Sequence, residues 1–378
     1  MEKREVKKTK VLVIIGRVNE SHLLENFLIG PHKPDIDLRC LFLGSTPSIL
    51  QTRIEEHGIK SEFIHQNGAT LDLRTMVKLL RRLLMDRPKV VHTQSTIATL
   101  YGIPISFLLG IRKRIATRHH GNYNHILPEY KNGKHIDRII GLLATDFIAP
   151  SKTVLETLHN LDHVPLRKIH LIHHGFDIAS LAACSEIEVE RIRTKYHLSQ
   201  NFPIVGIVSR LVKWKSVDTI LQEVKALEPL YPDLIVVVAN ADGPMADPTL
   251  KFLESNFPGR FRWITWEPEM MALFRTFDVF VHAPAIPEAE AFGQIYIEAW
   301  ASNVPMVCSP AGIAIDFARD SENCLLVHPG NSGEITTAVR RLLVDQELRK
   351  KIAAGGRRTA EQFGIEQHVL LTDQLYMH

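Results

Sequence analysis

Seven residues separate two carboxylates, Glu290 and Glu298, in the stretch "EAEAFGQIYIEAW", 288–300. The run after Gly293 is apolar and reads as a buried helix, where an unpaired charge is costly. A strand ending near Pro284 leads into the loop "AIPEAEAFG". A helix from about Gly293 to Asn303, with Pro305 beyond, then puts Glu290 just before the helix and Glu298 in its second turn. The first N–H groups of that helix, from about Phe292 to Ile295, lack intrahelical partners and favour an anion. Gly293 lets a ligand approach the backbone closely. A carboxylate at Glu298 is placed to accept from two vicinal hydroxyls, such as a ribose diol. The alternative is structural, with Glu290 a solvated loop residue and Glu298 a partner for a buried backbone group. The spacing alone leaves both open.

Two cations form a second set. In "SRLVKWKSVD", 209–218, Arg210 directly follows an expected strand and Lys215 opens the next helix. A leaving diphosphate carries about two to three negative charges, which a fixed Arg and Lys stabilise as bonds break. The plainer reading is two surface cations at a helix start, although cations there oppose the helix dipole. A third set is "TRHHGNYNH", 117–125, where His119 and His120 follow another strand. Neutral histidine donates or accepts at physiological pH and suits a sugar hydroxyl. A metal reading from His119, His120 and His125 is weak, because no carboxylate or cysteine falls at ligand spacing. The pair His173–His174 reads as domain-edge residues among the 19 histidines. Gly16 closes the first strand, but no G-x-G-x-x-G or P-loop surrounds it, which disfavours nicotinamide binding.

The elements that must position these residues alternate. Short apolar runs at 10–17, 38–44, 89–95, 112–121, 146–151 and 168–177 read as buried parallel strands with helical stretches between them. Residues 72–88 read as an amphipathic helix stopped by Pro88. After a polar, helical stretch at 178–200 the alternation restarts, with strands at 202–210, 233–240, 278–284 and 304–310. This pattern predicts an α/β protein with two Rossmann-like, doubly wound domains, 1–180 and 181–361, facing across a cleft. A terminal helix, 362–378, is expected to pack back on the first. A hinge is expected within 176–202.

With 45% hydrophobic and 23% charged residues, the chain of 378 reads as a soluble globular protein of two or three domains. A net charge of +3 is too small to argue for nucleic acid. Four scattered cysteines form no C-x-x-C and suit a reducing compartment. The charged N-terminus does not read as a signal peptide, and no apolar run is long enough to span a bilayer. The expected location is therefore cytoplasmic. The basic face of "RTMVKLLRRLL", with Arg74, Lys78, Arg81 and Arg82, allows peripheral contact with an anionic membrane, or simply a solvated face on a sheet-covering helix.

Taken together, these segments resemble the retaining glycosyltransferases of family four (glycosyl transferases group 1), which have the GT-B fold. Glu290 and Glu298 resemble the E-x7-E signature. "EAWASNVPMV" resembles the E-A-hydrophobic-A-x-G-x-P-V-V run, and "VSRLVKWKSVD" the G-R-L-x-x-x-K-G-hydrophobic-D segment. "PSKTVLETL" with "KIHLIHHGFD" resembles the entry to the interdomain linker, and "TRHH" the strand end carrying a first-domain histidine. Four departures stand out. Ser216 and Asn303 replace glycines, "HHGFD" replaces Asn-Gly, and "GRVNES" replaces the Gly-Gly turn after the first strand.

The resemblance implies a retaining hexosyl-type transferase taking a nucleotide-diphosphate sugar, UDP-sugar favoured over GDP-sugar. The acceptor would be a saccharide or lipid-linked saccharide, in polysaccharide or glycolipid assembly, with no nucleic-acid partner. Arg210 and Lys215 would neutralise the diphosphate and Glu298 would bind the ribose. Glu290, with the backbone of Phe292 and Gly293, would hold the transferred sugar, and Gly16 would line the donor site. His119 would contact the sugar near the reacting carbon, by the Thr-x-His spacing, though His120 lies one position away. The base would lie near 264–268. No metal or other cofactor is expected. The competing readings are a sugar-nucleotide 2-epimerase of the same fold and a non-catalytic sugar-nucleotide-binding subunit.

Overall fold

The computed structural model describes residues 8–68, 72–127, 133–198, 203–331 and 333–378. Of the segments singled out above, 1–7 of the N-terminal stretch and 199–202 of the expected hinge lie outside the described residues. The chain divides into two compact units, Met1–Phe176 with Gly364–His378, and Asp177–Phe363.

In the first unit, β1 (Thr9–Gly16), β2 (Ile36–Gly44), β3 (Lys60–His65), β4 (Val90–Thr93), β5 (Lys113–Thr117), β6 (Asp146–Ala149) and β7 (Ile169–Leu171) form one parallel sheet, ordered β3-β2-β1-β4-β5-β6-β7. The order reverses between β1 and β4, the switch point where open α/β sheets bind ligands. Both faces are covered, so β1 reads as an unbroken apolar run. Val11, Val13 and Ile15 pack on Leu24 and Phe27 of the helix His22–Ile29. Leu12 and Ile14 pack on Leu79 and Leu83 of the helix Leu73–Asp86 and on Tyr101 and Ile105 of the helix Thr96–Leu108.

The last helix, Ile365–Met377, belongs to this unit. It buries Val369, Leu375 and Tyr376 on the β1 face. The Tyr376 hydroxyl lies 2.6 Å from His92 Nδ1, and Asp373 sits 2.7 Å from His32 and from the Lys33 N–H.

In the second unit, β8 (Ile204–Val208), β9 (Ile235–Ala239), β10 (Phe261–Ile264), β11 (Val279–His282), β12 (Met306–Cys308) and β13 (Leu325–Leu326) form a parallel sheet ordered β10-β9-β8-β11-β12-β13. Gly206 is required inside β8, because a Cβ there would stand 2.1 Å from the Phe277 ring.

The apolar runs located the inner strands. They missed β3, β10 and β13, and they overran β7, which holds only Ile169–Leu171 of the expected 168–177. All four are sheet edges. β3 and β10 carry polar or half-buried residues that break the apolar run, whereas β13 lies in the largely buried run Cys324–Val327 and was missed because it holds only two residues.

Candidate active site

In the second unit the site is built at the carboxyl ends of β8 and β11. Ser209 and Arg210 follow β8, and the short turn Lys213–Lys215 leads through Ser216 into the helix Val217–Lys225. The Trp214 carbonyl accepts from the N–H groups of Ala285, at 3.0 Å, and Ile286, at 3.4 Å, so this turn is tied to the loop that follows β11. That tie sets Lys215 Nζ 3.3 Å from Glu290 Oε2, with the ammonium also 5.1 Å from the Trp214 ring centroid. His282, the last residue of β11, puts Nε2 3.9 Å from the same carboxylate oxygen.

Glu290 is only 13% exposed, which rules out the solvated-loop alternative. Burial by itself raises its carboxyl, but the Lys215 charge and His282 outweigh it and hold the group down at about 2. Burial holds His282 below its usual range, so the ring is neutral at physiological pH.

The helix after Glu290 runs Gln294–Ala301 and has no side-chain N-cap. Gly293 occupies the cap position at φ 76°, and a Cβ there would meet Tyr296 at 2.8 Å. Gly312 packs against this turn from the loop after β12. At φ 52° its own Cβ would stand 2.5 Å from the Phe292 carbonyl, which accepts from the Ile313 N–H at 2.8 Å. The Phe292 side chain is buried, so only its backbone is available to a ligand.

Glu298 lies in the second turn, half-buried. Among the described residues its carboxylate makes no hydrogen bond, which removes the reading of Glu298 as a backbone partner. Burial pushes this carboxyl up to about 7. Arg210 is exposed, and its guanidinium makes no ion pair among the described residues. The backbone behind it is fixed, since Leu211 donates to the Asp242 carbonyl and accepts from Met245. The segment 264–268 starts at the carboxyl end of β10, with Trp266 exposed and Glu267 buried against Lys195 and Tyr196.

In the first unit, His119 Nε2 donates to Gln94 Oε1 at 2.8 Å, just beyond β4. Its ring stacks on His174, with centroids 5.3 Å apart. Burial first, then His368, holds the His119 ring down at about 4, so it is neutral at physiological pH. His120 turns elsewhere. It lies 3.8 Å from Asp137 and packs on Tyr123, beside an ion-pair network in which Arg118 holds Asp137 at 2.8 Å and Asp162 at 3.2 Å. His125, Asp137 and Asp162 have metal-ligand spacing, but the Arg118 guanidinium already supplies the cation that both carboxylates need.

Gly16 has a packing reason for being glycine. Its N–H donates to Ser95 Oγ, and a Cβ would stand 2.9 Å from the Ala98 nitrogen at the start of the helix Thr96–Leu108.

Two residues escaped the sequence reading. His282 carried a signal, a polar residue ending a buried strand, that was lost among 19 histidines. Gly312 is revealed only by what its missing side chain would strike. His174, expected at a domain edge, lies two residues before the end of the first unit's main segment at Phe176, and its packing on His119 adds a contact the sequence did not show.

Residues 188–359 match the family model of glycosyl transferases group 1, and residues 37–180 that of glycosyltransferase family 4. The chain is 24% identical over 300 residues to the capsular polysaccharide biosynthesis glycosyltransferase CapM of Staphylococcus aureus, covering 77% of this chain and 76% of CapM. It is 27% identical over 168 residues to the lipopolysaccharide core biosynthesis glycosyltransferase LpsE of Rhizobium meliloti, covering 44% and 47% of the two chains. Among solved structures, Anabaena HepE in complex with UDP-glucose matches 96% of this chain and 98% of its own, with a TM-score of 0.78 at 21% identity. The lipopolysaccharide outer core galactosyltransferase WaaB covers 98% and 100%, with a TM-score of 0.71 at 14% identity. Two parallel α/β units, matched in turn by two glycosyltransferase family models, place this chain in the group 1 glycosyltransferases with the GT-B fold.

Proposed function

We propose that this protein transfers a hexosyl group from a nucleoside-diphosphate sugar, UDP-sugar before GDP-sugar, to an acceptor hydroxyl, retaining anomeric configuration and using no metal. The observation that carries the proposal is the Lys215–Glu290 pair, backed by His282 and set before an uncapped helix start. Lys215 and Arg210 meet the diphosphate, and the Gln294–Ala301 helix start adds its positive end. Glu290 and the Phe292–Gly293 backbone hold the sugar, and Glu298 takes the ribose diol. His119, as a neutral ring, contacts the sugar from the first unit, and Gly16 lines the phosphate side.

The anomeric carbon–phosphate oxygen bond breaks while the bond to the acceptor oxygen forms on the same face. The acceptor proton passes to the leaving phosphate oxygen, so the protein supplies position and charge rather than a strong base.

The names of CapM and LpsE favour a saccharide or lipid-linked saccharide acceptor in polysaccharide or glycolipid assembly, and the HepE complex favours UDP-glucose as a first donor to try. A cytoplasmic location with peripheral membrane contact completes the proposal; among the described residues no helix is long and apolar enough to cross a membrane.

The test is thermal stability with UDP, GDP, ADP and dTDP, followed by turnover of the stabilising sugar nucleotide with and without EDTA. A native-state ligand at a hundredfold excess over its dissociation constant adds about 2.7 kcal/mol. Free nucleoside diphosphate with a glycoside product supports the transferase. A new sugar nucleotide points to an epimerase, binding without turnover to a silent subunit, and no shift at all removes the donor site.

A further inference from the structure

A chain of buried polar side chains runs through the first unit from the last helix to His119. The Tyr376 hydroxyl lies 2.6 Å from His92 Nδ1. His92 Nε2 lies 2.7 Å from Thr117 Oγ1 and 3.2 Å from the Gln94 amide nitrogen. The other end of that amide, Oε1, lies 2.8 Å from His119 Nε2. Tyr376, His92, Gln94 and Thr117 are all buried, and buried polar groups of this kind are held by their hydrogen bonds.

The primary amide makes the chain directional. Gln94 has an acceptor at one end and donors at the other, and it faces the Nε2 of a histidine at each. Those two nitrogens must therefore be in opposite states, one with a proton and one with a lone pair. Burial holds the His92 ring down at about 3 and His119 at about 4, so both are neutral at physiological pH and each carries one ring proton. The oxygen of Gln94 faces His119, which puts the His119 proton on Nε2. His92 Nε2 then accepts from the Gln94 amide and the Thr117 hydroxyl. The His92 proton is on Nδ1, where it is donated to the Tyr376 oxygen. One alternative exists, and it reverses every bond: Tyr376 donates, the amide turns over, and the His119 proton moves to Nδ1.

The choice between the two matters at His119. A proton on Nε2 leaves the lone pair on Nδ1, which makes no hydrogen bond among the described residues. The ring itself is held in plane by His174, stacked at 14° with centroids 5.3 Å apart. What remains to be set is the nitrogen that carries the proton, and with it whether the free edge of the ring accepts or donates.

We propose that Tyr376, His92 and Gln94 are positioning residues for His119, which hold its proton on Nε2 and so present Nδ1 as the acceptor for a hydroxyl of the donor sugar. The assignment rests on the transferase reading above, in which His119 contacts that sugar, and adds the groups that fix the sense of the contact. It gives the last helix, through Tyr376, a part in the site.

The test uses the full chain with ¹⁵N in its histidine rings at pH 8, where NMR distinguishes the two tautomers of each ring. The signals are assigned by their loss in His92→Gln and His119→Gln. The wild type should carry the His119 proton on Nε2 and the His92 proton on Nδ1. Tyr376→Phe strands the His92 Nδ1–H, and a buried N–H without an acceptor is costly. The His92 proton should move to Nε2, the amide should turn over, and the His119 proton should move to Nδ1. Adding Gln94→Glu to Tyr376→Phe should return it to Nε2, because a carboxylate accepts at both ends. Calorimetry gives a second readout. UDP-glucose should bind about three- to tenfold more weakly in Tyr376→Phe, the worth of one hydrogen bond, and should recover in the double variant, with UDP affinity equal in all three. Lost packing of the last helix would neither separate UDP-glucose from UDP nor be repaired at Gln94. A His119 tautomer that ignores Tyr376→Phe overturns the proposal, as does a wild-type His119 protonated on Nδ1. A tautomer that moves while UDP-glucose binds as in the wild type overturns it too, since the sugar then does not read the ring. A wild type that binds neither UDP nor UDP-glucose, but whose His119 proton moves in Tyr376→Phe, would sink the donor reading and leave the positioning chain standing.

Discussion

Lys215 Nζ and Glu290 Oε2 lie 3.3 Å apart although 74 residues separate them in the chain, and the Trp214 carbonyl that joins their two loops accounts for the approach. The carboxylate depends on the ammonium. Burial raises the Glu290 carboxyl, and Lys215 is the largest influence holding it down. Removing the lysine thus has two effects, loss of a diphosphate ligand and loss of the charge that keeps Glu290 ionised. Lys215→Ala is expected to abolish the nucleotide thermal shift and to slow turnover by about two to three orders of magnitude. Glu290→Gln, which leaves Lys215 in place, should keep the nucleotide shift and lose turnover. A Lys215→Ala variant that still binds nucleotide at wild-type affinity contradicts the site.

Glu298 gives the site a pH dependence of its own. Its folded carboxyl lies near 7, above an unperturbed glutamate near 4.3. The folded state therefore holds this proton more tightly than the unfolded state between those values, and the group's contribution to stability falls as pH rises from about 4.3 to 7. Binding runs the other way, because the ionised carboxylate is the better acceptor for a ribose diol. Nucleoside diphosphate affinity should rise from pH 6 to pH 8, as followed by calorimetry. In Glu298→Gln affinity should be lower and this rise should be absent. The same rise persisting in Glu298→Gln would assign the titration to another group.

Ser216 adopts φ 51° where the family pattern that its segment resembles has glycine. A left-handed serine costs roughly 1–2 kcal/mol, against about 0.5–1 kcal/mol for the extra unfolded freedom of a glycine. Ser216→Gly should therefore stabilise the second unit by about 0.5–1 kcal/mol. Asn303→Gly should do less, since asparagine tolerates its φ of 60°. All four tryptophans lie between residues 214 and 300, so their fluorescence during urea unfolding reports this unit. A lowered midpoint in Ser216→Gly would show that the hydroxyl does work that the strain argument overlooks.

Gly293 was readable from its residue type, because a left-handed backbone favours glycine directly; Ser216 and Asn303 were marked only by the family pattern, which has glycine at both, and all three show positive φ. The inner strands were readable for a similar reason, since burial on both faces demands apolar residues along their length. Polar contacts were not. Nothing local in the sequence couples Lys215 to Glu290, His119 to His174, or Tyr376 to His92; each pairing follows only from strand order and from the return of the last helix to the first sheet. The choice between His119 and His120 was ambiguous by one residue. The structure turns only the first toward Gln94, beyond the end of β4, and puts the second beside the Arg118 ion pairs.

The first unit also presents a surface that bears on where the protein works. The helices Leu73–Asp86, Thr96–Leu108 and Gly133–Leu143 pack side by side on one face of the seven-stranded sheet. Leu73, Met85, Leu108 and Leu142 are each more than 70% exposed there, which burial within the unit does not explain. Arg74, Lys78, Arg81 and Arg138 are exposed on the same helices. The two acids of these helices are withdrawn into ion pairs, Asp86 with Arg39 and Arg82, Asp137 with Arg118. Apolar side chains beside unopposed cations suit an anionic bilayer surface, where each base adds about 1 kcal/mol. The protein should float with phosphatidylglycerol vesicles and not with phosphatidylcholine vesicles, and salt should release it. Leu108→Ser with Leu142→Ser should weaken flotation at every salt concentration, whereas Arg74→Glu with Lys78→Glu should weaken it chiefly at low salt. Binding that ignores lipid charge would leave the cations as a solvated helix face, the plainer reading their sequence also allowed.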